Sequence, residues 1–292
     1  MSKSSSITQS TLALFFILQS FFCAFISQAE QVVIYIRDDV YYDYVKFVDG
    51  KDILAIRDFS GKTIRRDVVD MIIAQQALKI GGFEHSFEYV PGKLNFRNTK
   101  LLEDGELLIS FDSYWLSDAK KLDNDVYISQ PLINNGEYIA GIYTNPKNTA
   151  VLAIKSLEDL SQFTAVSTPK WATDWKTLQA LPLKKLIRED EWLSQARMVN
   201  LGWIDFILMP FHSTKDQSFT MEKIHLVPVK NIGIELKDSR HYVISKKHPL
   251  GSEAIKAINI GLTALRKEQR IEKAYRQSGF FIDKNNIKVL NK

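Results

Sequence analysis

Apolar and polar positions along the first half of the chain predict strands that alternate with helices. Near-continuous apolar runs, typical of strands buried in a parallel sheet, occur at residues 31–36, 87–90 and 106–111. Apolar residues at helical spacing predict a helix over 67–80, which two glycines end, and a short helix over 99–103. Residues 37–44 are predicted to be a loop after the first strand. This order is typical of an α/β sheet with helical crossovers.

A similar pattern starts again in the second half of the chain. It predicts a helix over 156–163 with Ser156 as the N-cap, and a second helix over 190–200. Strands are predicted at 164–167, 205–209 and 224–229. A long amphipathic helix is predicted over 252–276. The chain therefore contains a second α/β unit and a helical C-terminal part.

Two stretches of similar character, 126–145 and 232–251, separate these units. The first contains a predicted Ser-Gln-Pro turn at 129–131, a turn with Gly136, and a strand over 138–143. If the two stretches run side by side, the chain leaves one lobe through the first and returns through the second. We therefore predict lobe 1 at 30–140 and 235–292, lobe 2 at 141–234, and a functional cleft between them.

The N-terminus has the order of a cleavable secretory signal. Lys3 precedes an apolar run over 12–26, and Ser27-Gln28-Ala29 ends in small residues. A membrane anchor is the alternative, but the run is short for a full span and no basic stop follows it. We predict a signal peptide over 1–29, cut after Ala29, and a secreted or periplasmic protein. The only cysteine, Cys23, would leave with it, so the mature chain would have no thiol.

Composition and motifs argue against several classes of function. The chain has 45% apolar and 25% charged residues and a net charge of +4, which suit a globular protein. The basic residues are scattered, which disfavours nucleic-acid binding. The five histidines lack the spacing of a metal site, and no dinucleotide, phosphate-loop or serine-nucleophile motif occurs. We expect no cofactor, no metal, no catalytic residue and a monomer.

Four stretches together resemble one known family. They are YISQPLINNGEYIAGIYT from Tyr127, SLEDLSQFTAVSTPKW from Ser156, NLGWIDFILMP from Asn200, and the segment from His241 to Phe280. Their order is similar to that of the periplasmic solute-binding proteins of type II, including the amino-acid-binding components of importers. The resemblance implies a two-lobe α/β fold, in which two crossover strands join lobes made of mainly parallel sheets flanked by helices. It also implies a small polar ligand (an amino acid, peptide, sugar or organic acid) and an inner-membrane permease of an ABC-type importer as partner.

The sequence departs from this family at two points. Amino-acid binders of the family carry an arginine shortly before the Ser-x-Pro turn, which holds the ligand carboxylate. No arginine occurs between Asp112 and Ser129, and Lys120, Lys121 or Arg37 could replace it, or no carboxylate is bound. Leu108 stands where an aspartate is common. The fold therefore carries over better than the ligand does.

Residues near predicted strand ends are the candidate ligand contacts, because the ends of parallel strands border the cleft. In lobe 1 they are Tyr41, Tyr42, Asp112, Ser113, Tyr114 and Trp115. In lobe 2 they are Ser167, Thr168, Trp171, Phe211 and His212. The resemblance also implies that backbone N–H groups near Trp171 face an anionic end of the ligand. The alternative is that the aromatic residues pack within their own lobe and that His212 lies at the surface.

Three functions remain open from the sequence. The first is a solute-binding protein that feeds an importer. The second is an enzyme on the same scaffold, and the third is a ligand-sensing periplasmic domain without a transport role. Product formation would separate the enzyme from the two binding functions.

Overall fold

The computed structural model describes residues 31–92, 95–212 and 214–292. Its α-helices are α1 (Asp38–Val48), α2 (Arg66–Ile80), α3 (Asn95–Asp104), α4 (Leu116–Ala119), α5 (Thr149–Leu152), α6 (Ala172–Gln179), α7 (Trp192–Asn200), α8 (Gly251–Lys267) and α9 (Arg270–Gln277). Its strands are β1 (Gln31–Arg37), β2 (Ser86–Gly92), β3 (Tyr114–Trp115), β4 (Val126–Ile133), β5 (Ile139–Thr144), β6 (Thr164–Ser167), β7 (Lys185–Arg188), β8 (Phe206–Met209), β9 (Phe219–Met221), β10 (Ile224–Glu235), β11 (Arg240–Ser245) and β12 (Lys288–Val289). The predicted signal peptide and its cleavage point lie outside the described residues.

The first two strands form a parallel pair, as the apolar pattern predicts. Val32, Ile34 and Ile36 are the buried positions of β1, and β1 pairs with β2 along its whole length. The predicted helix between them is α2, whose residues are buried without interruption from Val68 to Leu78. A helix that is buried on every side needs partners on every side. α2 packs against α1 and α8, with α9 nearby.

A three-stranded antiparallel sheet of order β3–β11–β4 corrects two predictions. The predicted strand over 106–111 makes only one bridge, between Ile109 and Ile244, although Leu107, Leu108 and Ile109 are fully buried. Such a short apolar run indicates burial and does not by itself indicate a strand. The predicted turn at 129–131 lies inside β4. Pro131 fits there because β4 is an edge strand, where a missing N–H breaks no ladder.

The remaining strands form a seven-stranded sheet of order β12–β10–β5–β8–β6–β7, with β9 paired to β10. β5 runs antiparallel to β10 through the pairs Ile139 with Glu235, Ala140 with Ile234 and Gly141 with Gly233. The two crossover stretches therefore do run side by side. Parallel and antiparallel pairs both occur in this sheet, and the two small sheets are of one kind each, so the expectation of mainly parallel sheets is corrected to mixed pairing.

Three further elements differ from prediction. The expected loop 37–44 lies largely in helix α1, because Asp38 and Asp39 favour its N-terminus and Val40 and Tyr44 turn one face inward. The expected helix 156–163 is a 3₁₀-helix over Glu158–Gln162, and Asp159, not Ser156, accepts the preceding N–H groups. The long C-terminal helix is divided between α8 and α9 at Gln269, whose φ is +56°.

We call the part built on the β1–β2 pair and the three-stranded sheet lobe 1, and the part built on the seven-stranded sheet lobe 2. One cluster of buried apolar side chains continues from Ile34 in lobe 1 through Trp115 and Tyr138 to Phe206 in lobe 2. The lobe limits at 140/141 and 234/235 stay a prediction. In the described residues, no helix is both long and apolar enough to span a membrane.

Candidate functional site

The start of β11 brings an arginine to the place where the lobes meet. Arg240 is opposite Trp115 in the β3–β11 register, and its guanidinium carbon lies 4.7 Å from the centroid of the Trp115 ring. Its Nε donates to the Ser113 hydroxyl at 2.9 Å, and its Nη2 donates to the Ser113 carbonyl oxygen. With 12% of its side chain exposed, Arg240 is held in one orientation by the aromatic face and these bonds.

Asp70, which is fully buried in α2, supports this arrangement from below. Its carboxylate accepts the Ser113 backbone N–H at 3.1 Å and the Ser113 hydroxyl at 2.6 Å. Arg66 Nη1 donates to the same oxygen at 2.6 Å, and the Tyr275 hydroxyl donates to the other. Burial raises the pKa of Asp70, and the charge of Arg66 opposes that rise. The network joins α2, α9 and the residue before β3 into one support for Arg240.

Arg66 connects this support to a more exposed carboxylate. Its Nη1 also lies 2.9 Å from Asp112 Oδ1, and Asp112 is 37% exposed, more than Asp67 or Asp70. Burial would raise the pKa of Asp67, but the charges of Arg66 and its neighbours lower it below its usual value. Burial, and then the nearby Arg66, lower the pKa of Arg240. Asp112 is therefore the group of this ion network with the best access to a solute.

Lobe 2 reaches the same place through the first turn of α6. Thr173 Oγ1 donates to Asp238 Oδ2 at 3.0 Å and lies 3.2 Å from Ser117 Oγ. The Ser117 backbone N–H donates to the same Asp238 oxygen at 3.2 Å. These bonds fix the N-terminus of α6 against α4 and the segment that connects β10 to β11.

Asp174, the next residue of α6, faces Trp115. Burial raises the pKa of Asp174 to about 6, while Arg240, a backbone N–H and a hydrogen bond from Trp115 oppose the rise. Tyr138 closes this region, with its ring 5.9 Å from Trp115 and 4.4 Å from Phe280 between centroids. We call the following residues the crossover cluster: Arg66, Asp112, Ser113, Trp115, Tyr138, Asp174 and Arg240.

The carboxylate of Asp174 lies at the helix N-terminus where the sequence predicts binding of a ligand anion in lobe 2. Asp174 lies in the first turn of α6, where free backbone N–H groups and the helix dipole favour a negative charge. Since its own backbone N–H already bonds this carboxylate, the protein itself supplies an anion at that position. An anionic ligand group near Trp171 would have to share or replace it.

The predicted tyrosines of α1 lie away from the crossover cluster. The Tyr41 ring stacks near Tyr44 and Tyr89, with centroids 6.3 and 5.6 Å apart, so it packs within lobe 1. Tyr42 is 67% exposed on the outer face of α1, beneath Lys46. Tyr114 points away from Trp115 and bonds Thr99 through its hydroxyl. Of the six lobe 1 candidates, the structure brings together Asp112, Ser113 and Trp115.

Ser167 and Thr168 are buried at the end of β6. The Ser167 carbonyl accepts the Glu189 N–H, and the Thr168 hydroxyl donates to Asp190 at 2.7 Å, so both have structural partners. Trp171 is the partly exposed N-cap of α6, three residues before Asp174. Ligand contact by these residues stays a prediction.

Phe211 and His212 follow β8 and form an aromatic group with Tyr143 and Phe219. Phe211 is buried 6.3 Å from Tyr143, and the His212 ring lies 5.1 Å from Phe219. Burial, and then the charge of Arg65 in lobe 1, lower the pKa of His212 to about 4. His212 is therefore neutral at pH 7, and its contact with a ligand stays a prediction.

Sequence reasoning missed Arg66, Tyr138, Asp174 and Arg240. Arg240 begins the return strand, but only the pairing of β11 with β3 puts it beside Trp115. Lys121, which the sequence offered as a replacement for the family's arginine, forms an ion pair with Asp118. Across the described ranges, no three histidine, cysteine or acidic side chains are grouped so that they could hold a metal ion.

No family model and no curated protein sequence matches the chain. Solved structures do. The periplasmic VFT2 domain of BvgS from Bordetella pertussis superposes with a TM-score of 0.58 at 13% identity, covering 89% of this chain and 96% of that one. An ancestral amino-acid-binding protein, described as a precursor of cyclohexadienyl dehydratase, gives 0.54 at 16% identity, with 87% and 97% covered.

The second substrate-binding domain of GlnP from Lactococcus lactis gives a TM-score of 0.51 at 14% identity, covering 87% of this chain and 97% of that one. Each match spans nearly the whole of the compared chain, so the likeness concerns the complete two-lobe architecture. At these identities it concerns the fold alone. The chain has a divergent form of the type II, two-lobe periplasmic solute-binding fold.

Proposed function

We propose that this chain is a ligand-binding protein that holds a small polar solute at the crossover cluster and closes its lobes around it. The observation that carries this proposal is the meeting of Arg240 and Trp115 from lobe 1 with Asp174 from lobe 2. A solute that touches both lobes favours the closed arrangement through its differential affinity for the two states. The crossover strands β5 and β10 would supply the hinge.

The charges of the cluster favour a solute that carries both an acceptor and a donor. Arg240 presents a guanidinium to an acceptor oxygen, and the exposed carboxylate of Asp112 accepts from a donor. We infer that Arg240, and not Lys120, Lys121 or Arg37, takes the part of the family's missing arginine. Amino acids are the first solutes to test, followed by small peptides, sugars and organic acids.

An importer permease is the partner that this function implies, with the protein acting in the periplasm after loss of residues 1–29. The likeness to a periplasmic domain and to a substrate-binding domain supports this location and role. A ligand-sensing domain without a transport role would use the same site. Uptake of the identified solute by cells with and without the protein separates the two: dependence of uptake on the protein supports the importer.

A thermal-shift screen against these four solute classes tests the proposal. A solute present at about one hundred times its dissociation constant stabilises the fold by roughly 2.7 kcal/mol, which is readily measured. The bound solute should also change the fluorescence of Trp115, and this change should disappear in Trp115→Phe. If no class stabilises the protein, the proposal fails.

Replacing Arg240 tests the site itself. Arg240→Gln should weaken binding of the identified solute by tenfold or more, because a charge-assisted hydrogen bond contributes about 1.5–3 kcal/mol. Lys121→Gln removes a charge from an exposed pair with Asp118 and should leave binding unchanged. The reverse result would assign the anchor to the lysine. Circular dichroism on both variants checks that each is folded.

An enzyme on this scaffold is a second candidate, favoured by one observation. Burial raises the pKa of Asp174 to about 6, and the pKa of an efficient general acid lies near the pH at which the enzyme operates. Incubation of the identified solute with the protein, followed by mass spectrometry, tests it. Product that is lost in Asp174→Asn would support catalysis, and an unchanged solute would exclude it for that compound.

A further inference from the structure

A groove of about 660 Å³ has Ser117, Thr173 and Asp238, which bond one another, in its wall. Its walls come from residues 116–120 of lobe 1, α6 of lobe 2, residues 235–238 between β10 and β11, and the last two residues of the chain. We call it the hinge groove. Its volume is within the range of about 300–1,000 Å³ that small-molecule sites occupy.

The charges around the hinge groove are mostly positive. Four exposed lysines from four separate segments line it: Lys120, Lys176, Lys237 and Lys292. Two carboxylate side chains, Glu235 and Asp238, also line it, so the lysine side chains outnumber the carboxylate side chains by two. Asp238 is already bonded by Thr173 and Ser117.

Some lysines elsewhere on the surface are paired with a carboxylate, whereas three of these four have no such partner among the described residues. Lys100, Lys121 and Lys247 each lie 2.6–2.8 Å from a carboxylate oxygen. Among the residues that the structure describes, Lys176, Lys237 and Lys292 have no ion pair or hydrogen bond through their ammonium groups. Cations held around one groove without partners repel one another, and a bound anion relieves that repulsion.

The groove also has an apolar part. Leu116 comes from lobe 1, and Leu157 and Leu181 come from lobe 2. Inorganic phosphate or sulfate would leave these side chains uncovered, whereas an organic body would cover them. The lining therefore fits an organic molecule with charged groups at its edge.

We propose that the hinge groove binds an organic anion with at least two negative charges, and that its occupancy is coupled to the arrangement of the lobes. The occupant touches lobe 1 through Leu116 and Lys120 and lobe 2 through Lys176 and Leu181. It therefore binds one lobe arrangement better than another. The anion changes the affinity of the crossover cluster for its solute by a certain factor, and the solute changes the affinity of the groove for the anion by the same factor. No residue of the crossover cluster lines the groove, so anion binding there stands even if that cluster binds nothing, while the effect on solute affinity rests on the proposed function.

Calorimetric titration at low salt with adenosine 5′-monophosphate and with adenosine tests the proposal, since the two probes differ by one phosphate. Citrate is a second organic anion, without a base. We expect the monophosphate or citrate to bind, adenosine to bind at least tenfold more weakly, and the affinity to fall as salt is added. Lys176→Gln with Lys237→Gln should weaken anion binding by tenfold or more.

The control is Lys62→Gln with Lys256→Gln, which removes the same charge from exposed positions outside the groove. It should bind like the parent protein. Equal weakening in both double variants would mean unspecific attraction and would overturn the site, as would equal binding of adenosine or no binding of either anion. Loss of anion binding in Arg240→Gln, together with unchanged binding in the Lys176 and Lys237 double variant, would assign the anion to the crossover cluster instead.

Discussion

At the level of single residues, the crossover cluster depends on opposite charges placed at the face and at the N–H edge of one indole. Arg240 and Trp115 both belong to lobe 1, and the guanidinium of Arg240 stacks on the Trp115 ring. Asp174 belongs to lobe 2 and accepts a hydrogen bond from Trp115. Both side chains are partly buried, and this burial disfavours the charged form of each, so the pKa of Asp174 rises and the pKa of Arg240 falls. The contact between the lobes therefore involves two ionisable groups, Arg240 and Asp174, whose pKa values depend on burial.

Asp174→Asn should make the protein more stable than the parent at pH 7. The pKa of Asp174 is raised to about 6 in the fold, above its unfolded value, so the folded parent binds more protons between about pH 4 and 6 and loses stability as pH rises through that window. Asparagine cannot ionise. The difference in unfolding free energy should therefore grow from pH 4 to 6, to about 3 kcal/mol at most, and then level off.

Chemical denaturation at several pH values, with both proteins side by side, gives this difference. The comparison is necessary because His212 acts in the opposite direction. Its pKa is lowered to about 4, so the neutral ring contributes stability that is lost as pH falls from about 6.5 to 4. A difference between the two proteins that does not change with pH would show that Asp174 titrates normally.

At the scale of elements, α2 and α8 approach each other through glycines. A Cβ on Gly261 would overlap the Ala77 carbonyl oxygen, and a Cβ on Gly81 would overlap the Ala257 carbonyl oxygen. The two helices can therefore bring their backbones together and cover the fully buried α2. This packing also fixes Asp70, which α2 carries to Ser113.

Gly261→Ala should destabilise the protein, although alanine favours a helix by about 1 kcal/mol over glycine. The added methyl forces the two backbones apart, and overpacking of this kind costs about 1–3 kcal/mol or more. Thermal unfolding measures the net effect. Ile260→Ala, at the neighbouring position that is 58% exposed, is the control and should change stability by only about 0.5 kcal/mol. A stabilised Gly261→Ala would mean that the helices can separate freely.

At the scale of the whole molecule, direct hydrogen bonds hold lobe 2 against lobe 1 next to the hinge. Thr173 is the residue through which α6 contacts both Asp238 and Ser117. The bond to the Asp238 carboxylate is charge-assisted and is lost when the lobes separate there. The balance between lobe arrangements therefore depends on this residue as well as on a solute.

Thr173→Val should shift the unliganded protein toward a more open arrangement. A hydrogen bond to a charged group contributes about 1.5–3 kcal/mol of stability, and the variant loses this contribution to the contact between the lobes. Small-angle X-ray scattering should give a larger radius of gyration than the parent protein has, and a bound solute should reduce it. Thr177→Val, one turn later on α6, is the matched control and should scatter like the parent. Identical scattering from all three proteins would mean that this contact does not set the lobe arrangement.

Elements whose pattern is local could be predicted from the sequence. Apolar periodicity located α2, β1, β2 and β8, and the two stretches with proline and glycine marked the crossover strands. It misjudged 37–44 and 106–111, because aromatic or apolar residues in short runs suit a loop, a helix or a strand equally. Asp112, Ser113 and Trp115 could be found because they follow one another along the chain.

Which charged residues share the site could be learned only from the three-dimensional fold. Arg240 lies 127 positions from Ser113, and nothing near either residue in the sequence indicates their contact. The register of β11 against β3 and the bonds that fix the first turn of α6 bring Arg240 and Asp174 to Trp115. Local patterns report on neighbours along the chain. Electrostatic and hydrogen-bond partners are set by distance in space, and folding alone establishes that distance.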